Sequence, residues 1–157
     1  MGLMAARNAG MDVPDETLNA AMEYMRRSTA RDGSVAYSGG FGGMGGSMNL
    51  SAVATLVGAV SHSKETEQFQ ASLKRLMENL EGGGSMARNY IEYYRYYMAQ
   101  ALFQGDYASW KKWNEAVVRE LHDSQAADGA FPNGGYGTGM SLLAVALNYR
   151  FLPIYER

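Results

Sequence analysis

The chain has no cysteine, and only three prolines, two histidines and two tryptophans. Without cysteine there is no disulfide, no thiolate metal ligand and no thiol nucleophile. The two histidines, His62 and His122, stand far apart and make no metal-ligand spacing. An excess of charge is missing as well. Fourteen basic residues stand against sixteen acidic ones, a formal net charge of -2, so no basic footprint for nucleic acid or an anionic membrane is present. No segment approaches the roughly 18 apolar residues of a membrane-spanning helix. Met1 to Gly10 is too short and too weakly apolar for a secretory signal. The expectation is a soluble chain, or a piece of a longer one whose targeting segment has been lost; the compartment stays open. No cofactor is implied, because neither a phosphate-binding Gly-x-x-x-x-Gly-Lys-Ser/Thr pattern nor a dinucleotide fingerprint between strand and helix occurs.

What is present is organised. The 157 residues suffice for one domain. The 19 glycines gather in a few loops, and five of the 11 tyrosines gather in one helix between Tyr90 and Tyr97. An acidic residue precedes Gly at three places after an amphipathic segment: Asp32-Gly33, Glu81-Gly82 and Asp128-Gly129. Gly33 to Gly82 is 49 residues and Gly82 to Gly129 is 47. An Ala-rich segment follows each: Ala52 to Leu56, Ala99 to Leu102 and Ala144 to Leu147. Two independent features keeping one period mark an internal repeat.

Each unit reads as two helices joined by a Gly-rich loop. The first is charged on one face. Its apolar stripe is Leu18, Met22 and Met25 in unit one, and Phe69, Leu73, Leu76, Met77 and Leu80 in unit two. In unit three it is Trp110, Trp113, Val117 and Leu121. Asp15 or Thr17, Ser63 and Asp106 are the expected N-caps. The second helix carries little charge. Met48 to Val60 and Met140 to Asn148 have none, which predicts enclosure on all sides. Gly10, Gly58 and Gly105 are the expected reversal points to the next charged helix. The loops are Gly39 to Gly46, Gly82 to Gly84 and Gly134 to Gly139. The units span approximately residues 11–60, 61–105 and 106–150, and residues 1–10 read as the tail of a preceding inner helix. Phe151 to Tyr155 is an apolar segment expected to fold back over the last unit.

Ser124-Gln125-Ala126-Ala127-Asp128-Gly129-Ala130-Phe131 resembles the prenyltransferase and squalene-cyclase repeat superfamily, in which an outer helix ends in Gln followed by Gly and an aromatic. Ser28 to Val35 is a weaker copy, with Thr29 and Val35 at the Gln and aromatic positions. Met4 to Pro14, and Gly137 to Leu143 with Tyr149 to Tyr155, look like the same superfamily. The likeness covers essentially the whole chain and is closest to bacterial repeat-containing proteins of unassigned function. It implies an all-α fold, an α/α toroid of helical hairpins, of which about three are present. A complete ring has about twice that number, so the chain looks like a C-terminal half, a partial ring.

The resemblance also shows what chemistry to look for. The cyclases' Asp-rich acid motif has no counterpart here, and the protein prenyltransferases' zinc set needs a Cys. The expectation leans away from an enzyme. The candidate ligand-binding residues are Tyr90, Tyr93, Tyr94, Arg95, Tyr97 and Gln100 on the inner helix of the middle unit, with Tyr136 in the third loop. Tyr90, Tyr93, Tyr94 and Tyr97 recur at i, i+3, i+4, i+7 and so share a helix side. Their rings could stack on sugars or hold a cationic or apolar ligand. They could equally pack between helices, with Glu92 and Arg95 paired to each other. Three functions follow. One is a non-catalytic repeat module binding a ligand, such as a glycan or isoprenoid-like molecule, or a protein partner. The second is a fragment of a cyclase-like enzyme lacking its acid motif. The third is a self-assembling half ring, partnered by a second copy or a missing N-terminal half.

Overall fold

The computed structural model describes residues 1–37, 46–80 and 90–149. Over these residues the chain is all-α, with seven α-helices and no strand; Thr29 and Val35 form an isolated antiparallel bridge. The helices are α1 (Gly2–Asn8), α2 (Asp15–Ser28), α3 (Met48–Val60), α4 (Glu67–Met77), α5 (Ile91–Gly105), α6 (Tyr107–Ser124) and α7 (Gly134–Ala146). A 3-10 turn, Leu147–Tyr149, follows α7. The Gly-rich stretches Gly39 to Gly45 and Gly82 to Gly84, the Glu81-Gly82 pair, Asn89 and the Phe151 to Tyr155 segment lie outside the described residues.

The weakly charged helices pack on one another in chain order, α3 against α5 and α5 against α7. The charged helix α4 lies against α3 and α5, and α6 lies against α5 and α7. Small residues permit the close approach. Ala52, Ala99 and Ala101 are fully buried, and Leu56, Leu76, Met98 and Leu102 fill the space between them. Each buried Leu or Met side chain contributes about 1.5–3 kcal/mol relative to exposure. Trp110, Trp113, Val117 and Leu121 are the buried stripe of α6. In α4 the stripe is narrower than the sequence suggests. Phe69, Leu73 and Leu76 are buried, Leu80 is half-buried beyond the helix end, and Met77 is exposed.

Enclosure on all sides holds for α3 and fails for α7. Only Gly137, Ser141 and Ala144 of α7 are buried, while Leu142 and Leu143 are exposed. The difference is position. Helix α3 has described helices on several sides, whereas α7 is the last helix of the described array. Helix α7 also begins earlier than expected. The stretch Gly134 to Gly139, read from its glycines as a loop, forms its first turns. Gly137 is what makes this possible, because a Cβ there would lie 1.8 Å from the Pro132 carbonyl oxygen. The missing side chain lets the helix start directly on the Pro132 backbone.

The caps are partly as expected. Asp106 accepts from the Ser109 N–H at 2.9 Å and opens α6. Asp15 is the first residue of α2 rather than its cap; Pro14 holds the cap position, and neither Asp15 nor Thr17 caps it. Thr66, not Ser63, caps α4, its hydroxyl accepting from Phe69 N–H. Ser63 instead belongs to the end of α3, where its N–H donates to Gly58 O and the His62 N–H donates to Ala59 O. His62 itself holds the left-handed conformation, φ 57°. This is a Schellman ending with His where Gly is usual. Gly10 ends α1 the same way, at φ 84°. Gly58 and Gly105 therefore do not make reversals. They sit within helices, where a Cβ would come within 2.8 Å of Phe69 and Leu73 respectively, so they serve close packing.

The two described Asp-Gly turns share the same hydrogen bonds. After α2, Ala30 N–H donates to Ser34 O, Gly33 N–H to Ala30 O, and Ser34 N–H to the Asp32 carboxylate. After α6, Ala126 N–H donates to Ala130 O, Gly129 N–H to Ala126 O, and Ala130 N–H to the Asp128 carboxylate. The two glycines have φ 77° and 85°. The acidic residue before Gly recurs because its carboxylate caps the turn, and the Gly recurs because the turn needs a positive φ. Their surroundings differ. A Cβ on Gly33 would lie 2.3 Å from the Ala71 carbonyl oxygen in α4, while nothing lies within 4 Å of one on Gly129. Ser51 Oγ donates to Gly33 O, and Thr55 Oγ1 donates to Ser72 Oγ, so a buried polar seam ties α3, α4 and the first turn together.

Candidate functional site

The tyrosine-rich helix α5 packs against α3, α4, α6 and α7, so its sides meet different surroundings. Tyr94 is buried among the core residues and its hydroxyl has no hydrogen-bond partner among the described residues. Burial pushes its pKa up to about 12. Gln100 is also buried, its amide donating to the Tyr96 carbonyl one turn back. Arg95 turns away to α6, where its guanidinium pairs with Glu120 at 2.5 Å. The Glu92–Arg95 pair considered from the i, i+3 spacing is absent. Tyr94, Arg95 and Gln100 thus serve the packing of α5 on its neighbours.

The remaining candidates gather at the N-terminal end of α5. Tyr90 immediately precedes the helix and is exposed, and Tyr93 and Tyr97 are half-buried. The rings of Tyr93 and Tyr97 are 4.6 Å apart, and those of Tyr96 and Tyr97 are 4.9 Å apart, nearly perpendicular. Both separations fall in the favourable range for aromatic pairs. The Tyr97 pKa is pushed up to about 12, first by burial and then by the hydrogen bond with Tyr93. Tyr136 lies in the first turn of α7, three residues after Asn133. Its pKa is raised by desolvation, then by the charge of Glu92 and the neighbouring hydroxyls of Tyr93 and Tyr90.

Glu92 is the residue that sequence reasoning passed over as a helix-surface pair. It is 6% exposed. Its carboxylate accepts at 2.5 Å from the side-chain amide of Asn133, the residue that opens α7 in a left-handed conformation at φ 68°. Asn tolerates that conformation better than other non-Gly residues. The signal available in the sequence was a Pro-Asn-Gly turn at Pro132 to Gly134, but its partner lies 41 residues earlier and sequence spacing could not find it. The starts of α5 and α7 meet at this hydrogen bond, and we refer to the junction, with its buried carboxylate and the exposed or half-buried tyrosines near it in sequence, as the mouth. Among the described residues no three His, Cys, Asp or Glu side chains gather to hold a metal ion.

A second concavity runs along α2 and was not anticipated. Met1, Met4, Met22 and Met25 line it with Val57 and Val60 of α3, and the Arg7–Asp15 ion pair borders it. No residue of α2 is buried. This groove is apolar and adaptable, as methionine makes it. His62 and His122 are both exposed. Among the described residues no helix is long and apolar enough to cross a membrane. Comparison with family models, with curated proteins and with solved structures finds no match to any of them.

Proposed function

We propose that this chain is a non-catalytic helical-repeat module that takes a ligand at the tyrosine-lined mouth between the starts of α5 and α7. The observation that carries the reading is the buried Glu92 carboxylate, fixed by Asn133 at the start of a different helix, with exposed Tyr90 two residues before it and exposed Tyr136 three residues after Asn133. A carboxylate is costly to bury and is seldom enclosed for packing alone. Open aromatic walls with one fixed polar group are the usual make-up of a small-ligand site. The test is a panel of glycans and isoprenoids against the parent chain and the Tyr93→Ala and Tyr97→Ala variants. Binding is expected to weaken about tenfold or more in Tyr93→Ala; identical binding by both variants would sink the proposal.

The arrangement we favour is part of an α/α toroid of the prenyltransferase and squalene-cyclase repeat type. It is supported by the row α3, α5, α7 with charged helices packed on it, and by the shared hydrogen-bond pattern of the two Asp-Gly turns. Self-association is a second reading, and the turns are what favour it. The Gly33 turn is seated on the backbone of the following charged helix, whereas no described residue lies within 4 Å of a Cβ on Gly129, and Leu142 and Leu143 of α7 are exposed. A charged helix of a second copy, such as α2, has the same type of face to offer. Contacts of that head-to-tail kind close into rings or run on as filaments. Light scattering over a concentration series decides: a monomer at every concentration removes this reading.

A further inference from the structure

We infer that the groove along α2 binds a linear aliphatic chain with an uncharged head group. It is a second site, apart from the mouth, and stands on different observations. Leu18, Met22 and Met25, the apolar stripe of α2, line it together with Val57 and Val60 of α3 and Met4 of α1. All are half-buried, and α2 has no buried residue. The apolar stripe of an amphipathic helix is ordinarily closed against its neighbour. Here the groove holds a volume of about 510 Å³ instead, within the roughly 300–1,000 Å³ of small-molecule sites.

The class of ligand follows from shape and charge. A smaller volume of about 220 Å³ shares Asn19, Met22, Met25 and Val57 with the larger one and reaches the buried Thr29, Phe69 and Ser72. From Leu18 to Thr29 the helix rises roughly 16 Å, so the space follows α2 as a channel. A linear chain fits that form, and methionine walls adapt to it. The charged side chains along the channel are already paired. Arg7 and Asp15 meet at 2.5 Å beside the larger volume, and Arg26 and Glu23 at 2.7 Å beside the smaller. Each pair is neutral as a whole, so a charged head group gains no counter-charge from it and loses hydration. A hydroxyl needs only a hydrogen bond, which the exposed His62 at the end of α3 can supply.

The experiment titrates the full chain by calorimetry with hexan-1-ol, octan-1-ol and decan-1-ol below their solubility limits, and with decanoate. Affinity is expected to rise about threefold to fourfold for each added methylene, and decan-1-ol to bind tighter than decanoate. Met22→Trp, which fills the channel where its two parts join, should weaken decan-1-ol about tenfold or more, the equivalent of two lost methylenes. Circular dichroism confirms the fold of the variant. Should Met22→Trp not fold, hydrogen exchange on the parent chain decides: saturating decan-1-ol should slow the α2 amides and leave those of α7 unchanged. No saturable binding of decan-1-ol overturns the inference, as does affinity that does not grow with chain length. Binding that Met22→Trp leaves intact overturns the site, and decanoate binding as tightly as decan-1-ol overturns the uncharged head group. Self-association abolished by Met22→Trp, with no alcohol bound, overturns it too and makes the groove an interface between copies.

Discussion

The Tyr94 hydroxyl sits in the core without a hydrogen-bond partner among the described residues, and burial holds its pKa at about 12. A phenol whose pKa is higher folded than unfolded keeps its proton longer in the native state. The stability linked to that proton is complete below the unfolded value of about 10 and is lost as pH rises towards 12. Two pH units correspond to roughly 2–3 kcal/mol. Urea midpoints should therefore be flat to about pH 9.5 and fall above it, with Tyr97 adding a smaller, solvent-screened share. Tyr94→Phe should lessen the alkaline fall and, at neutral pH, raise stability by about 1 kcal/mol by removing an unsatisfied polar group. A loss of more than 1 kcal/mol on that substitution would show that the hydroxyl is bonded. At this scale the tyrosine periodicity was readable, but which side of α5 meets the core was not. That depends on α3 and α7, which pack on it from either side.

At the scale of elements, the two Asp-Gly turns provide a controlled comparison. Both glycines have positive φ, so an Ala at either position costs about 1–2 kcal/mol of backbone strain. Only at Gly33 would the new Cβ also meet backbone, the Ala71 carbonyl of α4 at 2.3 Å. Gly129→Ala is expected to lower stability by about 1 kcal/mol and Gly33→Ala by about 3 kcal/mol or more. Thermal or urea unfolding measures both, and equal losses would mean that the first turn is not seated on α4. The Asp-Gly signature was legible because local hydrogen bonds produce it. The seating was not, since it depends on a helix that begins more than 30 residues later. The Gly134 to Gly139 stretch makes the same point in reverse. Its glycines read as a loop, yet they open α7, because close contact with Pro132 outweighs weak helix propensity.

Across the molecule, burial is uneven. Helices α3 and α5 carry most of the enclosed residues, while α1 and α2 have none. Stretches with few buried apolar contacts open at lower free energy than the core. Hydrogen exchange should release the α1 and α2 amides first, at an opening free energy roughly 2 kcal/mol or more below that of α3 and α5. Simultaneous exchange of all four helices would show that α2 is held as firmly as the core. A ligand that enters the mouth contacts α5 and α7, so its protection should appear there and leave α2 unchanged.

The sequence by itself determined the helices and the chemistry of the two described Asp-Gly turns, because each arises from residues a few positions apart and from propensities that act locally. It also determined which side chains are available, a run of tyrosines and one glutamate on a single helix. Only the tertiary structure decided how they are used. Packing turned Tyr94 and Gln100 inward, drew Arg95 to Glu120 on α6, and brought Asn133 to Glu92. Those outcomes depend on pairings between distant segments, whose free energy comes from burial shared by whole helices rather than from any local pattern.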